Sequence, residues 1–162
     1  MQRVDLGEDA PVVVVDFAHT PEAVAASLAA LPPGRRVVVL GGGGDRDPDK
    51  RGPMGAAAAH GADVVIVTDD NPRSEPPELI RESVLAGARG VAARATTIVD
   101  GGDRRSAIRA ALTLAGPGAW VAVLGKGHER GQDIGGVITP FDDTVVVAEE
   151  WAALNDKETP DA

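Results

Sequence analysis

The sequence predicts one three-layer α/β domain, in which a mostly parallel sheet of about six strands carries helices on both faces. Five short runs rich in β-branched residues alternate along the chain with four helix-length segments. Such alternation is typical of βαβ units, whose right-handed crossovers place helices on both faces of a parallel sheet. The length of 162 residues and the hydrophobic fraction of 43% suit a single domain with a full core.

The first two predicted strands flank a well-marked helix. Residues 12–15 are consecutive valines, which is typical of a strand buried on both faces. Thr20 then supplies a helix N-cap and Pro21 a first-turn proline, and the alanine-rich helix ends before the Pro-Pro-Gly of 32–34. Residues 37–40 form the second predicted strand.

Two further units repeat this alternation. A helix is predicted from about residue 53 to 60, with Gly61 following it, and residues 64–67 form the third strand. The next helix is predicted over 77–86 and is closed by Gly87. In both units the glycine directly after the helical segment marks the expected helix end.

A last unit completes the predicted sheet. Residues 96–99 form a short strand, 104–114 a helix and 120–124 another strand, with a Pro-Gly turn at 117–118 between the last two. We therefore expect the five strands to be parallel and joined by helical crossovers.

The C-terminal part has a weaker pattern. Residues 137–138 are expected to form a short strand that the glycine-rich 131–136 folds back as a hairpin. The three valines within 144–154 locally favour a strand, whereas 148–154 favours a helix, and we expect a C-terminal helix. The polar residues 155–162 are expected to fray.

Composition excludes several classes of function. Sixteen basic residues against 25 acidic ones leave a net charge of −9, and aromatics make up only 2%, which argues against nucleic acid as a partner. No apolar run approaches the roughly 18 residues of a membrane span, and residues 1–10 are too acidic and polar for a signal peptide. Without cysteine there are no disulfides, and three scattered histidines give little support for a metal site. We therefore expect a cytoplasmic protein without membrane contact.

Unusual residues follow the predicted strands at their carboxyl ends, where open parallel sheets bind ligands. They are Asp16-Phe17-Ala18-His19, residues 41–51, Asp69-Asp70-Asn71-Pro72-Arg73 and Gly125-Lys126-Gly127-His128-Glu129. We expect a ligand site on this rim. The side chains expected to meet anions there are Arg46, Lys50, Arg51, Arg73 and Lys126.

The glycines of this rim are compatible with two structures. Glycines 41–44 would let backbone N–H groups approach a phosphate. However, Arg51 follows Lys50 where a Walker loop needs Ser or Thr, and Arg46 stands where a dinucleotide fingerprint needs a third glycine. A tight strand-to-helix turn explains the same residues equally well.

The segment after the third strand also has two interpretations. Asn71-Pro72 disfavours helix and Asp70 is a common turn initiator, so a simple turn would account for it. Alternatively, Arg73 presents its planar guanidinium to a ligand carboxylate, while the neighbouring polar side chains hold ammonium or amide groups. Glu129 is likewise compatible with an ordinary loop acid.

Taken together, five short motifs resemble the C-terminal domain of the Mur ligases, which build the peptide stem of bacterial peptidoglycan. They occur in the family's order and spacing over about residues 12–151. The motifs are Asp16-Phe17-Ala18-His19-Thr20-Pro21, Gly43-Gly44-Asp45-Arg46-Asp47 with Lys50-Arg51, Asp70-Asn71-Pro72-Arg73, Gly125-Lys126-Gly127-His128-Glu129 with Gln132, and Phe141-Asp142-Asp143. The resemblance implies a Rossmann-like domain over 12–154, a linker over 1–11 from a missing central domain, and a flexible tail over 155–162.

The resemblance also implies an activity. In such enzymes ATP phosphorylates the D-glutamyl carboxylate of UDP-N-acetylmuramoyl-L-Ala-D-Glu, and the amine of an incoming amino acid attacks the acyl phosphate. The implied cofactors are ATP and Mg²⁺, the latter held mainly by the missing central domain. The chain lacks a Walker loop, so we expect it to fold but not to catalyse ligation alone.

The resemblance implies two groups of site residues and no catalytic residue in this domain. Those for meso-diaminopimelate are Arg46, Asp70, Asn71, Pro72, Arg73, Gly125 and Glu129. Those for ATP are Asp16, Phe17 and His19. Two positions depart from the family pattern: Phe17 stands where Tyr is usual, and Pro48 where many relatives have Lys, which makes Lys50 a candidate anion contact.

The choice of amino acid depends on one side chain. Meso-diaminopimelate resembles lysine with an extra carboxylate at its far end, and a bidentate bond from Arg73 would contribute about 1.5–3 kcal/mol. Lysine-adding relatives lack this Arg. Two alternatives stay open: the same domain of a lysine-adding or folylpolyglutamate-type ligase, and a stand-alone module that binds an amino acid or a nucleotide.

Overall fold

The computed structural model describes residues 1–156, which form eight strands and five α-helices. The strands are β1 (Gln2–Val4), β2 (Val12–Asp16), β3 (Arg36–Leu40), β4 (Val64–Thr68), β5 (Thr97–Gly102), β6 (Trp120–Leu124), β7 (Gly131–Ile134) and β8 (Val137–Pro140). The helices are α1 (Pro21–Ala29), α2 (Arg51–Gly61), α3 (Pro77–Arg89), α4 (Arg104–Ala115) and α5 (Asp143–Asp156).

Six of the strands form one sheet in the order β1-β2-β6-β3-β4-β5. β1 pairs antiparallel with β2, and the other five strands pair in parallel. The predicted α/β fold with a mostly parallel sheet is thereby confirmed. Because the strands are parallel, the loops after β2, β3, β4 and β6 leave the sheet at the same edge.

Helices bury both faces of the sheet, which explains why its strands are continuous valine runs. Val14 and Val38 face a core that α1, α2 and α3 complete, and their neighbours Val13 and Val37 face a second core under α4 and α5. Successive strand residues point to opposite faces, so only an apolar residue at every position can fill both cores.

Helices α2 and α3 approach each other closely enough for backbone contact. A Cβ at Gly55 would collide with the carbonyl oxygen of Val84, and one at Gly87 with that of Gly52. The two glycines therefore serve helix packing. This is why Gly87 does not end α3, which continues to Arg89 rather than stopping at residue 86 as predicted.

The presence of β1 and the start of α2 also differ from the sequence prediction. Residues 2–4, expected within a linker, form β1 because their main chain pairs with the exposed edge of β2. Helix α2 begins at Arg51 instead of residue 53, since a 3-10 turn over Pro48–Lys50 leads directly into it. The Asp47 side chain starts that turn by accepting a hydrogen bond from the Asp49 N–H (2.9 Å).

The C-terminal part contains the predicted helix and a hairpin that differs from the predicted one. Residues 131–134, expected within the turn, are themselves a strand. Strands β7 and β8 pair antiparallel as a separate two-stranded sheet, joined by Gly135 and Gly136, whose φ angles of 63° and 82° suit a two-residue hairpin turn. Helix α5 includes Asn155 and Asp156, which were expected within the frayed tail, and residues 157–162 lie outside the described residues. Among the helices of residues 1–156, none is long and apolar enough to cross a membrane.

Candidate functional site

A cavity of about 320 Å³ opens at the edge where β2, β3, β4 and β6 end. Nine of the eleven predicted site residues line it, namely Phe17, His19, Arg46, Lys50, Asp70, Asn71, Arg73, Gly125 and Glu129. Two do not: Pro72 is buried, and Asp16 lies at the end of β2. The topology thus brings together residues from four separate loops.

Two arginines make one side of the cavity cationic. The guanidinium of Arg73 donates from Nη1 to the carbonyl oxygen of Gly44 (2.8 Å), and that of Arg46 donates to the carbonyl oxygen of Asp45 (3.0 Å). Within residues 1–156 neither arginine has a carboxylate within ion-pair distance. Both guanidiniums are therefore available to an anionic ligand.

Carboxylates make the other side anionic. Asp70 is buried, and this burial raises its pKa above the ordinary value despite the attraction of Arg104 and Lys126. Asn71 donates from Nδ2 to Glu129 (3.1 Å), which joins the loop after β4 to the loop after β6. The cavity can therefore bind a ligand that carries both positive and negative charges.

Lys126 does not reach the cavity, and the expectation that it meets an anion there is wrong. Its side chain is 0% exposed, and its Nζ donates to the carbonyl oxygen of Gly131 and to Glu129 (3.3 Å). A buried ammonium needs such partners because its desolvation is costly. Lys126 thus fixes the loop that carries Glu129 onto the start of β7.

Strand β7 holds the segment 70–73 by its main chain. The N–H of Arg73 donates to the carbonyl oxygen of Asp133 (2.9 Å), and the N–H of Gly135 donates to the carbonyl oxygen of Arg73 (2.7 Å). Gln132 is buried and donates from Nε2 to the carbonyl oxygen of Asp70 (2.8 Å). The turn interpretation and the ligand interpretation of this segment are compatible, since its backbone is bound while the Arg73 side chain lines the cavity.

An aromatic cluster lies beside the cavity. The Phe17 ring is 4.5 Å from that of His19 and 6.2 Å from that of His128, measured between centroids. Gly127 has a φ of 55°, and a Cβ there would lie 2.8 Å from the Cβ of Phe17. Only glycine lets the two loops meet at this point. The cluster leaves the Phe17 ring 45% exposed, as a surface that a planar ligand can cover.

Next to this cluster, two hydrogen bonds hold the carboxylate of Asp16 in place. Ser27 donates its hydroxyl to one carboxylate oxygen, and the N–H of Phe17 donates to the other (3.0 Å). Burial raises the pKa of Asp16, but these bonds outweigh it and lower the pKa below the ordinary value. The carboxylate is therefore ionised at neutral pH.

Two ion pairs that support the site were not identified as pairs from the sequence. Arg51 is buried and bound to Glu75 (2.8 Å), and Arg104 is fully buried against Asp143. Each arginine is the first residue of its helix, α2 or α4, a position that gives no signal of burial. The partners are 24 and 39 residues apart in the chain, so only the fold brings them together.

No group of three or more His, Asp or Glu side chains within residues 1–156 is arranged to hold a metal ion. Asp70 and Glu129 are bound to Asn71, and Glu129 also to Lys126. The donor set of the described residues therefore does not fit Mg²⁺.

The fold and the cavity define an α/β domain with a cavity, lined by charged side chains of both signs, at the carboxyl edge of its sheet. Residues 1–127 match the family model described as "Mur ligase, glutamate ligase domain", and the chain belongs to this family. The resemblance stated from the sequence motifs is thereby confirmed.

Two curated relatives carry the same name, UDP-N-acetylmuramoyl-L-alanyl-D-glutamate–2,6-diaminopimelate ligase. The protein from Corynebacterium efficiens is 54% identical over 155 residues, which cover 92% of this chain and 29% of the relative. The protein from Caulobacter vibrioides is 48% identical over 157 residues, covering 95% of this chain and 30% of the relative. A solved structure of an enzyme with this name matches with a TM-score of 0.83 and 40% identity, over 96% of this chain and 31% of its own. The chain thus spans about 30% of the length of these relatives.

Proposed function

We propose that this domain binds meso-diaminopimelate in the cavity, as part of a ligase that joins it to UDP-N-acetylmuramoyl-L-Ala-D-Glu. The observation that carries the proposal is the division of one cavity into a side with unpaired guanidiniums and a side with carboxylates. The names of the relatives support the same amino acid.

The two sides of the cavity match the ends of this amino acid. At its distal carbon, meso-diaminopimelate carries a carboxylate and an ammonium next to each other. Arg73 would bind the carboxylate, and Glu129 and the carbonyl of Gly125 would bind the ammonium. Asn71 spans the distance between the loops that carry these groups. Arg46 and Asp70 would complete the binding of the amino acid.

The same geometry would exclude lysine. Lysine has no distal carboxylate, so it would leave the Arg73 guanidinium without a carboxylate partner in the cavity. A site built to bind a polar group rejects an analogue that lacks it more strongly than an apolar pocket rejects a missing methylene. This argument favours a diaminopimelate-adding ligase over a lysine-adding or folylpolyglutamate-type relative.

In the whole ligase, ATP would transfer its γ-phosphoryl group to the D-glutamyl carboxylate and leave as ADP. The free amine of the bound amino acid would attack the acyl carbon, lose a proton and expel phosphate, which forms the amide. This domain would hold the amine in place, and such positioning accounts for a large part of catalysis of bimolecular reactions. The acceptor, the phosphates and Mg²⁺ would be bound by parts of the enzyme that this chain does not span. Because the reaction consumes ATP, its compartment would be the cytoplasm.

We also propose that the edge near Asp16 contacts ATP. The carboxylate would accept a hydrogen bond from a ribose hydroxyl, with Phe17 and His19 beside the nucleotide. Lys50 would add a positive charge near the glycine loop. The phenolic hydrogen bond of the usual Tyr is lost with Phe17, but the apolar ring surface is kept.

Calorimetric titration of the chain tests the amino-acid site. Wild type is expected to bind meso-diaminopimelate more tightly than L-lysine, and Arg73→Ala should reduce the preference by at least about tenfold, the equivalent of 1.4 kcal/mol. Arg105→Ala serves as a matched control, because Arg105 pairs with Glu149 and Glu150 on the surface between α4 and α5. Equal affinity for both amino acids, unchanged in Arg73→Ala, would overturn the assignment.

A second measurement tests whether the chain alone can catalyse the ligation. The chain alone should release no ADP in the presence of ATP, acceptor and meso-diaminopimelate, because it lacks the parts that would hold the phosphates. Release that depends on all three substrates would show that the chain is a complete catalyst.

A further inference from the structure

The loop after β3 and the loop after β4 are bonded to each other at several points. The N–H of Gly44 donates to the carbonyl oxygen of Asn71 (2.8 Å), and the hydroxyl of Ser74 donates to Asp45 (2.5 Å). A Cβ at Gly44 would collide with the carbonyl oxygen of Pro72. The two loops thus form one unit, to which each contributes one cavity arginine.

Within residues 1–156, Asp45 and Arg73 are the two non-glycine residues with a positive φ, at 54° and 53°. This region is unfavourable for a residue with a Cβ, so the surrounding contacts must hold it. Asp45 directly precedes Arg46, and a change in its backbone conformation would redirect that arginine. The two unusual conformations therefore determine where both guanidiniums point.

Two residues of the loop after β4 hold Asp45: Ser74 bonds its side chain, and Glu75 bonds its backbone. One carboxylate oxygen of Glu75 accepts from the N–H of Asp45 (2.9 Å) and from Nη2 of Arg51 (2.8 Å). The same Nη2 donates to the carbonyl oxygen of Gly43 (3.0 Å). Glu75 thus connects the loop after β4 to both ends of the turn that carries Arg46.

The cation in this connection, Arg51, is largely buried. The Arg51 side chain is 8% exposed and its Nε has no hydrogen-bond partner among the described residues, so Glu75 is the counter-ion of a largely buried guanidinium. The Arg51 bond holds the pKa of Glu75 below its ordinary value. The pair therefore stays ionised over the whole neutral range.

We propose that Glu75, through its bonds to Asp45 and Arg51, is a positioning residue that sets the separation of the Arg46 and Arg73 guanidiniums, and thereby the selection of an amino acid with two carboxylates. Both arginines flank Gly43, where an added Cβ would lie 3.2 Å from Arg73 Nη1 and 3.6 Å from Arg46 Cγ. Glu75 itself does not line the cavity. The inference rests on the proposed binding of meso-diaminopimelate.

A double-mutant cycle on the chain tests the inference. Glu75→Ala should weaken meso-diaminopimelate binding about tenfold in calorimetry but change it less than about twofold in the Arg73→Ala background, because the positioned group is then gone. Glu75→Gln keeps an acceptor for both donors and should restore most of the affinity. Glu78→Ala is the matched control, since Glu78 is an exposed glutamate three residues further along.

Amide hydrogen exchange of the ligand-free chain supplies a readout that needs no ligand. The Asp45 amide should exchange markedly faster in Glu75→Ala and not in Glu78→Ala. Equal losses of affinity in the wild-type and Arg73→Ala backgrounds, or unchanged exchange at Asp45, would overturn the positioning role while leaving the site itself intact. A wild-type chain that does not distinguish meso-diaminopimelate from lysine would overturn the proposed function and this inference with it.

Discussion

The guanidinium of Arg104 binds both carboxylate oxygens of Asp143, with Nε–Oδ1 at 2.8 Å and Nη2–Oδ2 at 2.7 Å, and neither side chain is exposed. Arg104 also donates to the carbonyl oxygens of Leu124 (3.1 Å) and Asp69 (3.4 Å). One buried cation thus joins the carboxyl ends of β4 and β6 to the first residue of α5. The two carbonyls belong to the residues directly before Gly125 and Asp70.

Asp143→Ala should destabilise the domain by about 3–5 kcal/mol, because it leaves a buried guanidinium without its counter-ion. Urea unfolding followed by circular dichroism measures the change. Glu149→Ala removes a partner of the exposed Arg105 and should cost less than about 1 kcal/mol. Similar small losses in both variants would mean that Arg104 finds another partner or water on the loss of Asp143.

Gly87→Ala should destabilise the domain by at least about 1–3 kcal/mol, since the new methyl group would collide with the carbonyl oxygen of Gly52 and separate α2 from α3. Gly52→Ala is the matched control. Its methyl group would come no closer than 4.0 Å to the carbonyl oxygen of Ser83, so stability should change by no more than about 1 kcal/mol. Thermal unfolding of the two variants distinguishes the cases. An unaffected Gly87→Ala would argue against direct backbone contact of the helices.

Asp70→Asn should stabilise the domain at neutral pH while weakening the binding of meso-diaminopimelate. Burial raises the pKa of Asp70, so the folded state keeps this proton to a higher pH than the unfolded state. Its contribution to stability is complete below the ordinary aspartate pKa and is lost as the pH rises through the raised value. The advantage of the variant in urea unfolding should therefore shrink from pH 7 to pH 3.5. If Asp70→Asn raised the free energy of unfolding by the same amount at both pH values, this explanation would be wrong.

Ser27→Ala should raise the pKa of Asp16 and cost about 1 kcal/mol at pH 7, because the carboxylate loses a hydrogen bond. The folded-state pKa of Asp16 is lowered, so its contribution to stability exists above the ordinary value and is lost as the pH falls through the lowered one. Carboxyl ¹³C titration by NMR measures the pKa directly. Ser106→Ala removes a hydroxyl bound to Asp103 instead and should leave Asp16 unchanged.

The sheet could be predicted because its parallel strands are buried on both faces and therefore appear as apolar runs between turn residues. Strand β1 could not, since Gln2–Val4 has no such pattern and pairs only because β2 offers an open edge. The end of α3 was misjudged for a related reason. A glycine after an apolar helical segment is typical of a helix end, and the packing role of Gly87 depends on Gly52 in α2, 35 residues earlier in the chain.

The cavity could be located because parallel topology brings the four loops to one edge, whatever their sequences. The direction of each charged side chain could not be inferred in the same way. Lys126 and Glu129 are three residues apart, yet the lysine lies in the interior and the glutamate at the cavity. That difference arises from β7, because the carbonyl oxygen of Gly131 accepts a hydrogen bond from the ammonium of Lys126.

In residues 70–73 the main chain binds β7 and its turn, while the side chain of Arg73 lines the cavity. Main-chain groups of Asp70 and Arg73 bind β7 and its turn, and these bonds do not depend on the identity of either side chain. A substitution at position 73 can therefore alter the ligand without dismantling the loop. Under the proposed function, replacing this one side chain on an unchanged scaffold would change which amino acid the site selects.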